Sequence, residues 1–185
     1  MVPKPTGGFD TPEFTAAKAD GSLAANMDRA PLLLVNGRPL GQSRAIERYI
    51  AAQCGMLGRD DFESAQITCI VENVKDIKEK WGKVRMTGGF SPSEEKDKAI
   101  KQFFDTDLCP WLMKLEKSIP DQDFGDKISY ADVAVWNLLK DTFLDQQSLV
   151  DKLSKDLSKI TKMTSKVDAN LALKKWIEER PKTTF

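Results

Sequence analysis

Residues 30–40 restrict the possible architecture of this chain more than any other segment. An apolar run from Leu32 to Val35 meets Asn36-Gly37, and a second short stretch follows. Asn-Gly between two such runs is the strongest short-range signal for a β-hairpin, because both residues tolerate the positive φ angles of a type I′ turn. Pro39 has no N–H to donate, so the second strand is expected at a sheet edge or as a short piece.

Short helices are predicted on both sides of this hairpin. Residues 10–20 contain a capping threonine, a proline at the first helical position and a glycine directly after the segment. Ser43 is predicted to be the N-cap of a helix that runs to about Gln53. The apolar face of that helix is expected to contain Ile46, Tyr49 and Ile50. Gly58 to Asp60 then forms a natural linker, so residues 1–57 are predicted to be one small α/β domain.

Beyond the linker the pattern is helical, and residues 64–185 are predicted to form a separate all-helical domain. Apolar residues recur at intervals of three and four over residues 67–84, which predicts one long amphipathic helix. A second helix is predicted from Ser93 to about Ser118, bent or split near Cys109 by the following proline. Two further amphipathic helices are predicted over residues 148–166 and 170–180.

A helix start is especially clear at Ser129. Asp132 follows three residues later, so the two side chains can form an acidic version of the capping box. Ile128 and Val133 occupy the positions of a hydrophobic staple, which would fix the direction in which the chain enters the helix. The pair is therefore expected to support the core of the helical domain rather than to bind a ligand.

Composition excludes several classes of function. The chain has no histidine, which rules out histidine-dependent catalytic triads and removes the commonest zinc ligand, and no metal site is expected. Lys plus Arg and Asp plus Glu each number 28, so no net charge attracts nucleic acid or an anionic membrane. The cysteines, Cys54, Cys69 and Cys109, are expected to be reduced and mostly buried thiols of a cytoplasmic protein.

Three motifs, in order along the chain, resemble the sigma-like glutathione S-transferases. Ala30-Pro31, the hairpin and Gln42-Ser43 look like that family's cis-proline hairpin and glutathione-carboxylate motif. Ser129 to Asp132 is similar to the capping box in the family's helical domain, and Trp176 to Pro181 to the sigma-class carboxyl terminus. The resemblance implies an α/β plus all-α fold, in which a truncated thioredoxin-like domain precedes a transferase-type helical bundle.

The same resemblance implies which residues bind glutathione. Gln42 and Ser43 would hold the γ-glutamyl carboxylate at a helix start, where backbone N–H groups lack partners within the helix. Ala30, before a cis Pro31, would pair with the cysteinyl backbone. Asp76, which otherwise reads as a solvated charge opposite the apolar stripe, would reach the ligand's ammonium group across a homodimer. Lys18 would meet the glycyl carboxylate.

The resemblance also implies that a segment of the family pattern is absent. The first βαβ segment would precede residue 10, and it ordinarily supplies the Tyr, Ser or Cys that favours the thiolate of glutathione. Weak binding and slow conjugation are expected without it. An incomplete gene product, a shortened protein with a covered sheet and a non-catalytic binder all remain open explanations.

Two functions from different classes follow. The first is a glutathione S-transferase that joins glutathione to small hydrophobic electrophiles, although the same residues are compatible with peroxidase or isomerase chemistry. The second is a non-catalytic glutathione-binding or protein-interaction module with a transferase-like fold. Because the usual N-terminal Tyr, Ser or Cys is missing from this chain, the residues leave open whether the protein is an enzyme.

Overall fold

The predicted hairpin is present in the computed structural model, which describes residues 11–89, 91–122 and 124–181. Strand β1 (Leu32–Val35) pairs antiparallel with strand β2 (Arg38–Gly41), with Val35 opposite Arg38 at the turn. Asn36 and Gly37 have φ angles of 50° and 78°, as a type I′ turn requires. These two strands form the sheet of the described residues. Residues 1–10 of the predicted first domain lie outside them.

Helices α1 (Pro12–Ala19) and α2 (Ser43–Gln53) flank the hairpin as predicted. Thr11 caps α1 by accepting a hydrogen bond from the Phe14 N–H at 3.2 Å. The predicted N-cap of α2 is wrong by one residue. Gln42 is the N-cap and its carbonyl accepts the Ile46 N–H at 3.0 Å, so the helix already includes Ser43.

The face expected to be apolar on α2 is only partly covered within the described residues. Ala51 is buried, whereas Ile46 and Tyr49 are half-buried and Ile50 is 48% exposed. Helix α2 packs on β1 and β2, and this two-stranded sheet is too small to cover a whole helical face. The periodicity is therefore a correct guide to the helix but not to the depth of its burial.

The chain divides into two compact units between Cys54 and Gly55, and the regular secondary structure in the described residues of the second unit is all helical. Its α-helices are α3 (Asp61–Arg85), α4 (Glu94–Gln102), α5 (Leu108–Ser118), α6 (Tyr130–Asn137), α7 (Gln147–Ser154), α8 (Ser158–Asp168) and α9 (Leu171–Glu179). This layout confirms the predicted combination of an α/β piece and an all-helical bundle.

Helix α3 supplies the centre of the helical core. Its predicted stripe is buried at Ile67, Ile70, Val71, Val74, Ile77 and Trp81. Trp81 contacts Phe103, Phe104 and Phe143, with ring centroids 5.1–5.6 Å apart. Tilted and edge-on aromatic pairs at such distances add to the free energy gained by burial.

The second long helix is interrupted, but earlier than predicted. A π-helical turn at Phe103–Asp107 separates α4 from α5, and the Leu108 N–H reaches back five residues to the carbonyl of Phe103. Pro110 has no N–H, and its ring would collide with the carbonyl of Thr106 in a regular helix. The backbone therefore widens in the turn before the proline, and α5 continues through Pro110 itself.

The single helix predicted over residues 148–166 is wrong, because α7 and α8 are separate. The Glu116 carboxylate on α5 accepts the N–H groups of Lys159 and Ile160, each at 2.9 Å. These are N–H groups of the first turn of α8, where the N-cap Leu157 has no side chain able to accept them. A carboxylate 43 residues away thus stabilises a new helix start.

The capping box of α6 is confirmed. Asp132 has no exposed surface, and its Oδ2 accepts both the N–H and the hydroxyl of Ser129 at 2.7 Å. In return, the Asp132 N–H donates to the Ser129 hydroxyl at 3.2 Å. The backbone N–H groups of Ser129 and Asp132 therefore both have hydrogen-bond partners within the first turn of this buried helix.

The thiols are free, but the expectation that most of them are buried is wrong. Cys54 and Cys69 are exposed and Cys109 is half-buried. Cys54 follows the last residue of α2, and Cys69 lies just outside the buried stripe of α3. Helical periodicity places residue 69 about 100° from its buried neighbour Ile70, on the solvent side.

Candidate functional site

A buried amide connects two of the predicted binding segments. Asn26 is 4% exposed and ends a single 3-10 turn, Ala24–Asn26. Its Nδ2 donates to the carbonyls of Arg29 at 2.9 Å and Pro31 at 2.8 Å. Its Oδ1 accepts the Gln42 N–H at 3.1 Å. One side chain therefore connects the Ala30-Pro31 segment to Gln42, the N-cap of α2.

The peptide bond between Ala30 and Pro31 is cis, as the resemblance implies. Both residues are exposed and directly precede β1. The backbone of Ala30 is therefore accessible beside the hairpin. Met27 and Asp28 have left-handed φ angles of 53° and 58°, and these two residues turn the chain from Asn26 back toward the hairpin.

Gln42 and Ser43 lie together at the exposed start of α2. Ser43 is the first helical residue, so its backbone N–H belongs to the turn that lacks acceptors within the helix. The first turn of α2 contains no acidic residue and includes Arg44, in contrast to the acidic first turns of α3 and α4. An anion at this end would meet the positive end of the helix dipole without a competing carboxylate.

Lys18 is exposed near the end of α1, and its ammonium nitrogen lies 4.4 Å from the centre of the Phe14 ring. This cation–π contact holds the amine against its own helix. To meet a glycyl carboxylate, Lys18 must exchange the ring for a charged partner. Such an exchange is feasible because exposed cation–π contacts contribute only about 0.5–1 kcal/mol.

Asp76 lies in the second unit, on the exposed side of α3, as its position in the periodic pattern predicts. It lines a cavity of about 280 Å³ between α3 and α5, together with Trp111 and Lys114. The ammonium groups of Lys80 and Lys114 lie 4.5 Å and 4.9 Å from the Trp111 ring centre. The carboxylate of Asp76 is thus accessible at a surface depression that also carries positive charge.

Asn26 has a role in this geometry that the sequence did not reveal. Its partners lie three, five and sixteen residues further along the chain, so no periodicity or capping pattern connects them. Gly41 is the one residue whose type indicates this close contact. A Cβ atom there would stand 2.6 Å from the Cβ of Asn26, so only glycine permits the contact.

The described residues contain no cluster of three or more acidic or cysteine side chains suited to a metal ion. Among the same residues, no helix is both long enough and apolar enough to cross a membrane.

Comparisons with known proteins give one consistent family. The family model for the glutathione S-transferase C-terminal domain matches residues 75–180. Glutathione S-transferase 1 of Ascaris suum is 33% identical over 161 residues, which cover 84% of this chain and 75% of that protein. Hematopoietic prostaglandin D synthase of Gallus gallus is 30% identical over 165 residues, covering 85% and 75% respectively.

Comparison with solved structures gives the same fold. The crystal structure of the glutathione S-transferase from Ascaris lumbricoides superposes with a TM-score of 0.66 at 25% identity. The superposition covers 95% of this chain and 83% of that one. The likeness therefore extends over both units and is not confined to the helical domain.

Proposed function

Because the chain belongs to the glutathione S-transferase family, we propose that it binds glutathione and joins the glutathione sulfur to small hydrophobic electrophiles in the cytoplasm. The observation that carries this proposal is the pairing, through Asn26, of an exposed Ala30-Pro31 backbone with the exposed start of α2. Extended peptides and carboxylates are the ligands that these two features recognise.

The γ-glutamyl end is assigned to Gln42 and Ser43. The Ser43 N–H and hydroxyl, with the Gln42 side-chain amide, offer hydrogen-bond donors to one carboxylate at a helix N-terminus. The helix dipole and the absence of acidic residues in the first turn of α2 both favour the negative charge. Ser43 is better suited to this role as the first helical residue than as an N-cap, because its hydroxyl is not engaged in capping the helix.

The cysteinyl unit is assigned to Ala30 and Pro31. Lys18 is assigned to the glycyl carboxylate. Asp76 of a second subunit is assigned to the ammonium group, which makes the functional form a homodimer. An apolar surface of the helical unit would hold the electrophile.

Binding and sulfur activation are separable in this scheme. The six assigned residues hold the carboxylates, the ammonium group and the backbone of glutathione, and none of them acts on its sulfur. Only interactions that strengthen in the transition state raise the chemical rate. A hydrogen-bond donor to the thiolate contributes roughly 1.5–3 kcal/mol, or about ten- to a hundredfold in rate.

Calorimetric titration of the purified chain with glutathione and with its S-hexyl derivative tests the proposal. We expect saturable binding that Gln42→Ala weakens by about tenfold, the effect of losing hydrogen bonds to a charged group. Gln53→Ala, at the opposite end of the same helix, is the matched control and should bind as the wild type does. Absence of binding by the wild type contradicts the proposal.

A conjugation assay separates the two candidate functions. The pH dependence of conjugation to 1-chloro-2,4-dinitrobenzene reports the thiol pKa of bound glutathione. A lowered thiol pKa supports the transferase. Binding without conjugation supports the alternative, a non-catalytic glutathione-binding or interaction module.

A further inference from the structure

The side chain of Asn26 is used almost to its full hydrogen-bonding capacity in a place that is closed to solvent. Both of its N–H groups and its oxygen have backbone partners, the Arg29 and Pro31 carbonyls and the Gln42 N–H. An aspartate has the same shape but cannot donate, and a serine is too short to reach three partners. Asparagine is therefore chemically required by this arrangement.

Space around the amide is equally restricted. Gly41 approaches so closely that a Cβ atom would stand 2.8 Å from Oδ1 of Asn26. The next residue, Gln42, has a φ angle of 68°, which is uncommon for a residue with a side chain. The bond from its N–H to Asn26 holds this conformation at the point where the strand turns into α2.

This bond also decides which donors face a ligand. Since the Gln42 backbone N–H is occupied by Asn26, Gln42 can meet a carboxylate at the start of α2 only through its side chain, next to the backbone N–H groups of the first turn that begins at Ser43. The same amide holds the carbonyl of Pro31, whose neighbour Ala30 is assigned to the cysteinyl unit. A shift of either segment would move the other, because both are bonded to one rigid planar group.

We infer that Asn26 is a positioning residue for glutathione, which keeps the cysteinyl-pairing segment at Ala30-Pro31 and the carboxylate-binding segment at Gln42-Ser43 in one geometry. This inference rests on the proposed function. It goes further by naming a buried residue that touches no ligand as a determinant of glutathione affinity. It also explains why a glycine precedes Gln42.

Two variants disturb the amide in different ways. Asn26→Ala removes all three hydrogen bonds, whereas Gly41→Ala keeps every bonding group and displaces the amide by steric contact. Each should raise the calorimetric Kd for S-hexylglutathione by about tenfold. In a conjugation assay the KM for glutathione should rise, while the KM for the electrophile stays unchanged. If one variant does not fold, the other still provides the measurement.

Controls separate positioning from general stability. Leu23→Ala removes a buried side chain beside the same 3-10 turn, and Gly82→Ala adds a Cβ in open space on α3. Both should bind S-hexylglutathione as the wild type does, measured per folded molecule. If Leu23→Ala weakens binding as much as Asn26→Ala at an equal loss of thermal stability, the positioning role is overturned.

A double-mutant cycle tests the connection to Gln42 directly. In a Gln42→Ala background, Asn26→Ala should raise the Kd by clearly less than tenfold, because the Gln42 side chain that Asn26 positions is already missing, although Ser43 and Ala30 are still displaced. A full tenfold effect in both backgrounds overturns the inference but leaves the proposed function intact. A wild-type chain that binds no glutathione overturns both, so the two failures are distinguishable.

Discussion

Lys166 places its ammonium nitrogen 3.3 Å from Oδ2 of Asp132, a carboxylate with no exposed surface. The same oxygen accepts two hydrogen bonds from Ser129 at the start of α6. Lys166 lies on α8, so the capping residue of one helix is also the ionic partner of another. A local capping motif thereby contributes to the packing of two helices.

Asp132→Ala should lower the free energy of unfolding by about 2 kcal/mol or more. A capping residue alone contributes ~0.5–2 kcal/mol, and removing one partner of a buried ion pair adds to that loss. Urea denaturation followed by circular dichroism measures the change. Glutathione affinity per folded molecule should stay within about twofold, because the residue supports the core. A stable variant that no longer binds glutathione would show that Asp132 belongs to the site.

Glu116→Ala should destabilise the protein by about 1–2 kcal/mol, because the first turn of α8 loses its capping carboxylate. Glu79→Ala is the control, since Glu79 forms an exposed pair with Lys75 at 3.6 Å. Such pairs contribute roughly 0.2–1 kcal/mol. Chemical denaturation of both variants measures how much unfolding free energy each one loses. Equal losses would mean that Glu116 acts as an ordinary surface charge.

Arg180 should make part of the stability dependent on pH through Asp141. The hydrogen bond from the Arg180 guanidinium at 2.5 Å is the main cause that lowers the pKa of Asp141 below its ordinary value. A carboxyl group with a lowered pKa in the folded state stabilises the protein above its unfolded pKa of about 4. That contribution is lost as the pH falls through the lower, folded-state pKa.

Thermal melts of the wild type and Arg180→Gln between pH 3 and pH 7 test this dependence. The wild type should be more stable at neutral pH, and the difference between the two should shrink below about pH 4. Arg59→Gln is a useful comparison, because Arg59 pairs with Glu63 near the start of α3, in a different part of the helical unit. A difference between wild type and Arg180→Gln that is constant across the range would exclude the proposed linkage.

Asp76 should act on a glutathione molecule held by the neighbouring subunit. Sedimentation of the wild type at micromolar concentration is expected to show a dimer. Asp76→Asn and Gln42→Ala should each weaken glutathione binding when the variant is pure. Glu79→Gln, one turn along the same exposed face, should leave binding unchanged.

Mixing the two defective variants gives the sharper measurement. A mixed dimer contains one site with an intact Gln42 from one subunit and an intact Asp76 from the other, so part of the binding should return. A monomeric wild type, or mixtures that bind no better than the pure variants, would show that Asp76 does not cross a subunit interface.

Several elements could be predicted because their causes lie within a few residues. The type I′ hairpin follows from Asn36-Gly37, and the start of α6 follows from Ser129 and Asp132. The buried stripe of α3 follows from a helical period that does not depend on what packs against it. The positions of Gln42 and Ser43 were predicted as well, although the helix boundary between them was wrong by one residue.

Other features were decided by contacts between distant parts of the chain. The break between α7 and α8 is stabilised by Glu116, and the capping carboxylate of α6 is paired with a lysine 34 residues away. Local propensity contains no information about such partners, so the pattern over residues 148–166 reads as one helix. The π-helical turn is different, because the proline that explains it, Pro110, lies close by in the chain, within the following helix α5.

By itself, the sequence determined the hairpin and the helical character of the rest of the chain, since hydrogen bonding within turns, caps and helices depends on near neighbours. Only the tertiary structure decided that Asn26 connects Pro31 to Gln42, because that contact requires the 3-10 turn, the hairpin and the start of α2 to meet around one buried amide. A buried polar group must find partners wherever the fold brings them, and no local sequence pattern reveals a partner sixteen positions along the chain.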